Sequence, residues 1–353
     1  MEEIKCMNWL TNFRCIKVEI TSHCNAKCPG CTRNITGGKN ISNLDLSHMP
    51  FELWKRIMHE DTKGMNLQEV LFDGNVGDLL MHPHALDFIK TTVEAHPKIH
   101  IQVNTNGGAR TQQFWADIGK YLSTNKIPHK FNFAIDGLED THHIHRRSTT
   151  YDVVVRNMKA FIDAGGQASW VYTLFDHNIH QQEEAEARAD ELGCHWFQMR
   201  HSCIPGEDLY TKTDTEEYSI GTDNIYDYDE KLQLKKHKIV ESKTIEFIDH
   251  SCSAFSERQI QIDFRGMLWP CSYIYATEVF NDKPLSVSPF YLEGSKDPLH
   301  EDYIAPEMEH PRNKLNLHKH TLSEILTNDF FANQLPSAIE DKRLNVCNKW
   351  CFN

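Results

Sequence analysis

The sequence predicts an α/β fold, a partial (β/α)6 TIM barrel followed by a small C-terminal α+β domain. Three observations lead there. Short β-rich runs alternate with longer helical patterns from Arg14 to about Arg200, the rhythm of a parallel sheet with right-handed crossovers. The repeating units number six, too few to close an eight-fold barrel, so the barrel stays open. The rhythm then stops after about His201, and the remaining chain carries its own cysteine-bearing segment.

The strand candidates, in order, are Ile16–Thr21, Glu69–Asp73, Ile99–Thr105, Lys130–Asp136, Ala168–Leu174 and His195–Arg200. Helical patterns lie between them at Phe51–Glu60, His84–Ala95, Gln112–Leu122, Tyr151–Ala164 and Ile179–Leu192. In the Tyr151 helix, Val153, Val154, Met158, Phe161 and Ile162 share one face, and Gly165-Gly166 is the stop signal. Residues 201–250 are polar and charge-rich and read as a connecting or capping segment between a barrel at 1–200 and a C-terminal domain at 251–353. Within the latter, a strand-like run Gln259–Phe264 leads through Arg265-Gly266 to Leu268, and Leu322–Gln334 is a helix candidate. Chemistry in such a barrel belongs at the C-terminal ends of the strands.

The 353 residues are enough for one large domain with a satellite, and 40% hydrophobic residues are enough for a sizeable core. Lys and Arg number 37 against 50 Asp and Glu, a net charge of −13, which argues against nucleic acid or an anionic membrane surface as partner. No apolar run approaches membrane-spanning length, and Met1–Leu10 does not read as a signal peptide. A cytoplasmic location is expected. Thiols stay reduced there, so eleven cysteines point to metal ligation rather than disulfides. Cys6, Cys15, Cys194 and Cys203 join neither of the two cysteine spacings and read as buried apolar residues or inert thiols.

The first spacing, Cys24-Asn25-Ala26-Lys27-Cys28-Pro29-Gly30-Cys31, follows the first strand candidate directly. Three thiolates on one loop suit an iron–sulfur cubane and leave one of its irons open for chemistry. A zinc site would want a fourth ligand, for which His23 is at hand. The second constellation is Cys252, Gly266, Cys271, Cys347 and Cys351, whose four thiolates would saturate one 4Fe–4S cluster or one zinc ion.

The first loop resembles the signature of the radical S-adenosylmethionine superfamily, over about 190 residues from Arg14 to Arg200. Four further features agree in order. Gly74-Asn75-Val76-Gly77-Asp78 ends the second strand, where the family's glycine-rich segment holds the methionyl amino group; Asp78 stands where glutamate is more frequent. Thr105-Asn106-Gly107 ends the third strand, Asp136-Gly137 with His142 and Arg146 follows the fourth, and Asn178 follows the fifth. Gly30 departs from the family, which often has an aromatic residue there near adenine. The Cys252-to-Cys271 half, with thirteen residues to Gly266 and four more to Cys271, resembles the opening of SPASM and twitch domains; four cysteines match the shorter, one-cluster twitch form.

What the resemblance implies is a radical enzyme with two 4Fe–4S clusters and S-adenosylmethionine as cofactors. Cys24, Cys28 and Cys31 would hold the reactive cluster, and Cys252, Cys271, Cys347 and Cys351 the auxiliary one. Gly74, Asn75, Gly77 and Asp78 would meet the methionyl group, Thr105 and Asn106 the ribose, and Arg146 or Arg147 the carboxylate, with Asp136 beside them. A flavodoxin or ferredoxin would serve as reductant. Substrates of relatives include small polar molecules and peptides. Only 23 residues precede Cys24, which lowers the expectation of a fused peptide-binding domain, so oxidation of a small polar molecule is the first reading and peptide modification the second. A zinc or iron–sulfur electron-transfer protein without radical chemistry is the alternative of another class.

Overall fold

In the computed structural model, the residues described are 13–31, 33, 34, 40, 44–201, 210–212, 217–219, 258–272, 274, 275 and 314–336. Six parallel strands form the barrel wall: β1 (Cys15–Val18), β2 (Glu69–Phe72), β3 (His100–Thr105), β4 (His129–Ala134), β5 (Ala168–Leu174) and β6 (Trp196–His201). The helices between them are α1 (Phe51–Arg56), α2 (Ala85–Ala95), α3 (Gln112–Thr124), the single turn α4 (His142–His145), α5 (Tyr151–Asp163) and α6 (Gln182–Leu192). The anticipated α/β alternation is present unit by unit. Two helices differ in detail. The Phe51 helix leaves α geometry at Ile57 and ends in a wide turn, where Thr62 N donates to Ile57 O at 2.9 Å. The Ile179–Leu192 pattern opens with a 3-10 turn at Ile179–Gln181.

The sheet is larger than the repeat predicts. A short hairpin, β7 (Tyr210–Lys212) and β8 (Glu217–Ser219), pairs only with itself among the described residues. Beyond it, β9 (Gln259–Ile262) lies parallel to β1, and β10 (Leu268–Trp269) folds back antiparallel on β9. The sheet order is therefore β10-β9-β1-β2-β3-β4-β5-β6. Every residue of β9 is buried, and Leu53 and His318 close on the hairpin turn at Gly266. The Leu322–Gln334 helix candidate is split: α7 (Leu322–Leu326) starts with a capping box of Thr321 and Glu324, its Leu322 N donates to Asp61, and a separate wide turn follows at Phe330–Gln334.

Strand alternation divides the sheet into two chemistries. Ile16, Val18, Val70, Phe72, Ile101, Val103, Phe131, Phe133, Trp170 and Tyr172 are buried in one core with Trp54, Phe88, Trp115 and Phe161 of the helices. The other face carries Lys17, Asp73, Gln102, Asn104, Lys130, Asn132 and Ser169. Asn104 donates to Asp73 at 3.0 Å and Asn132 donates to Asn104 at 2.8 Å, so neighbouring strands are linked across a polar lumen. On α5, Val154, Met158 and Phe161 are buried as anticipated, while Val153 and Ile162 are half-buried. Cys194 packs on Met158 with its sulfur 3.8 Å from Sδ, in keeping with an inert role; Cys6 and Cys203 lie outside the described residues.

Candidate active site

The loop after β1 is held by main-chain bonds. Met49 N donates to Ile20 O and Ser22 N to Ser47 O, which seats the chain leaving β1 against residues 47–49. The buried Arg33 donates to Ser22 O at 2.7 Å and to Cys24 O at 3.3 Å, and Cys31 N donates to Cys28 O at 3.2 Å. Cys28 is buried, while Cys24 and Cys31 are half-buried. Gly30 stands at φ 73°, a left-handed conformation in which an aromatic side chain would be strained, which accounts for the departure from the family's usual residue.

The glycine-rich segment closes over this loop. A β-carbon on Gly77 would lie 1.9 Å from Thr21 O and 3.0 Å from His23 O, so only glycine allows the two backbones to meet. Asp78 N donates to His23 O at 2.9 Å. The Asp78 carboxylate is buried and accepts from Thr105 Oγ1, Asn106 N, Asn106 Nδ2 and Leu80 N at 2.8 to 3.2 Å. Burial raises its pKa, with those donors opposing the rise. Thus Asp78, Thr105 and Asn106 come together as one unit, with Asp78 turned onto the β3 loop. Gly74 and Asn75 border Asp73 instead: Gly74 N donates to Asp73 at 2.9 Å and Asn75 Nδ2 at 2.7 Å.

At the end of β4, the fully buried Asp136 gathers three donors. Arg146 Nε lies at 2.5 Å and His145 Nδ1 at 2.7 Å from Oδ2, and Thr173 N donates to Oδ1 at 2.7 Å. Despite burial, these partners, the Arg146 guanidinium foremost, hold the carboxyl well below the usual carboxylate range. Arg146 Nη1 reaches Cys28 Sγ at 3.7 Å, and His145 Nε2 lies 3.2 Å from Pro29 O. Arg147 contributes its carbonyl, which accepts from Lys27 N at 2.9 Å. Asn178 is fully buried and closes the loop after β5 by donating to Asp136 O and Thr173 O and accepting from Phe175 N. The buried His142 contacts Thr149 Oγ1 at 3.1 Å.

Two further residues shape the site. Glu19, one residue beyond β1 and fully buried, accepts from Asn75 N at 2.8 Å and Gly77 N at 3.4 Å and so suspends the glycine-rich segment. Burial, with Asp73 nearby, raises its pKa well above the ordinary value. Asn157, buried on α5, donates to Gly107 O at 2.8 Å and anchors the β3 loop from the helix side. Asn157 falls with Val154, Met158 and Phe161 on the buried face of α5, and that mismatch is a signal that could have found it; Glu19 only continues the alternation of Ile16-Lys17-Val18 and carries no such signal. Of the second constellation, Cys271 is buried directly after β10, whereas Cys252, Cys347 and Cys351 lie outside the described residues.

The donor set fits an iron–sulfur cluster. Burial pushes Cys24 up to about 12 and Cys28 up to about 11, because the low-dielectric surroundings disfavour a bare thiolate. Asn106 Nδ2, 3.5 Å from Cys24 Sγ, and Arg146 at Cys28 supply hydrogen-bond donors suited to cluster thiolates. Among the described residues no three His, Cys, Asp or Glu side chains converge on a single ion, and thiolates on separate irons of a cubane need not do so.

A comparison with protein families matches residues 18–188 to the Radical SAM superfamily. Residues 18–188 belong to that superfamily. As a radical SAM enzyme, the chain falls in a class whose chemistry uses a 4Fe–4S cluster and S-adenosylmethionine. Among solved structures it is similar to anSMEcpe with bound AdoMet, with 16% identity and TM-score 0.53, covering 90% of this chain and 81% of that one. It is also similar to Streptococcus suis SuiB bound to the precursor peptide SuiA, with 14% identity and TM-score 0.56, covering 94% of this chain and 68% of that one. A search of curated proteins finds no significant match. These likenesses place the fold among the partial barrels of radical SAM enzymes. No helix among the described residues is long and apolar enough to cross a membrane.

Proposed function

We propose that this radical SAM enzyme acts on a small polar molecule held in the barrel lumen, and that Cys252, Cys271, Cys347 and Cys351 would hold an auxiliary 4Fe–4S cluster able to accept one electron from the substrate radical. When bound, the first cluster and S-adenosylmethionine supply reductive cleavage to a 5′-deoxyadenosyl radical. Cys24, Cys28 and Cys31 would hold that cluster. The segment Gly74 to Asp78, with Thr105 and Asn106, would receive the nucleoside and methionyl parts, and Arg146 or Arg147 the carboxylate. The observation that carries the substrate reading is the polar row Asp73–Asn104–Asn132, hydrogen-bonded across three strands on the face turned away from the helices. Such a row offers hydrogen-bond partners to hydroxyl and amino groups, whereas an apolar guest would strip water from these side chains and leave them unmet.

Peptide modification is the second reading. β6 ends the sheet, with no further strand paired to it among the described residues, and a free strand edge accepts an extended peptide. SuiB, which shares the fold, is solved with a precursor peptide.

The test is anaerobic reconstitution, then reaction with S-adenosylmethionine and dithionite. 5′-Deoxyadenosine with roughly eight irons per chain is the expected result. Cys28→Ala should abolish the product, whereas Cys271→Ala should lose about half the iron and keep some cleavage. Four irons with cleavage would remove the auxiliary cluster from the proposal. No cleavage by a protein with intact clusters would make it an electron carrier.

A further inference from the structure

We propose that Arg146 sets the reduction potential of the cluster held by Cys24, Cys28 and Cys31, by donating a charged N–H to the Cys28 thiolate. The inference rests on the cluster assignment above. It gives Arg146 a positioning and tuning role, distinct from the carboxylate-binding role that the resemblance implies. The geometry points this way because the guanidinium is already claimed and aimed. Asp136 is fully buried and is itself pinned by Thr173 N and His145, so it cannot swing away. Its Oδ2 takes Arg146 Nε at 2.5 Å, which leaves Nη1 on the far side, 3.7 Å from Cys28 Sγ. The ion pair thus presents its positive end to the sulfur, and the Arg146 side chain is only 17% exposed, so water screens it little.

A donor at a cluster sulfur stabilises the more electron-rich, reduced state, and hydrogen bonds to the sulfurs are among the factors that set cluster potentials. A charged donor in a buried site does so more strongly than a neutral one. Cys24 illustrates the contrast. Its donor, Asn106 Nδ2, is neutral and shares two hydrogens with Asp78 Oδ2 at 2.8 Å and Asn25 Oδ1 at 2.9 Å as well as the sulfur at 3.5 Å. Asn106 therefore contributes less than Arg146.

The experiment is a potentiometric titration of the reconstituted full chain without S-adenosylmethionine, reading the reduced cluster by EPR and confirming iron content for each protein. Arg146→Gln should shift the reduced-to-oxidised ratio, at the wild-type midpoint, about tenfold toward oxidised, equal to about 59 mV for one electron. Arg146→Lys keeps the charge but cannot hold Asp136 and Cys28 together, so it should shift in the same direction by less. If the Gln variant fails to load, the Lys variant alone decides. Unchanged midpoints in the loaded variants, with a weakened effect of added S-adenosylmethionine on the EPR signal, would overturn the proposal and return Arg146 to carboxylate binding. A wild-type chain that holds no cluster would instead sink the cluster assignment, and this inference with it.

Discussion

At the scale of single residues, the site depends on buried polar groups that have little slack. The Asp78 carboxylate receives five contacts from Leu80, Thr105 and Asn106. Asp78→Asn would turn an amide N–H toward some of these donors and should cost about 1–3 kcal/mol, read by urea unfolding. Gly77→Ala should be worse for function than for folding. The methyl group would meet the backbone of Thr21, whose carbonyl stands at 1.9 Å, and would push the cysteine loop away. Reconstituted iron should fall in that variant, with a stability loss of about 1–3 kcal/mol for overpacking. Iron retained at the wild-type level would show that the two loops need not touch.

At the scale of elements, helices fix loops they do not belong to. α5 reaches over the barrel rim through Asn157, whose side-chain N–H groups meet Gly107 O at 2.8 Å and Ala109 O at 3.4 Å. Asn157→Ala takes the side-chain donor from Gly107 O in a buried place, while Ala109 O keeps Trp115 Nε1 at 2.9 Å, and should cost about 1–3 kcal/mol in thermal or chemical unfolding. It should also loosen Asn106, visible as weaker S-adenosylmethionine binding. The capping box of α7 is an independent case at the other end of the chain. Thr321 Oγ1 accepts from Glu324 N at 3.2 Å, and Thr321→Ala should lower stability by about 1 kcal/mol while sparing the site.

At the scale of the whole molecule, acid sensitivity should appear earlier than carboxylates alone would produce. His82 is 2% exposed, with Nε2 on Met49 O and Nδ1 accepting from His84 N, which requires the neutral ring. His142 is 1% exposed with Nδ1 unmet. Burial lowers both to about 4, whereas the unfolded chain titrates them near 6.5. Below about pH 6.5 the unfolded state therefore binds more protons. Their contribution is present above that value and drains away toward about pH 4, by at most about 1.4 kcal/mol per pH unit for each. Urea midpoints measured between pH 7 and 5 should fall accordingly, and less steeply in His142→Gln. Glu19, whose pKa burial raises, acts in the opposite sense, so the comparison of wild type with His142→Gln is what isolates the histidine; equal slopes in the two proteins would mean that the His142 ring is protonated in the fold.

Much of this protein is legible in local sequence because its determinants are local. The Cys24, Cys28 and Cys31 spacing, the six strand-and-helix units and the glycine-bearing turns after β2, β3 and β4 depend on residues close in the chain, where periodicity and turn chemistry act. The limits of β5 fall where expected and those of the other strands shift by at most three residues, since hydrogen bonding to neighbours sets where a strand stops. Partnership across the chain is another matter. That β9 lies beside β1, that Glu19 suspends the Asn75–Gly77 backbone, and that Asp136 aims Arg146 at Cys28 are decided by which strand ends the assembled sheet brings together. No residue's own propensity specifies such a contact, because the free energy that selects it is shared among segments that meet only when the barrel forms.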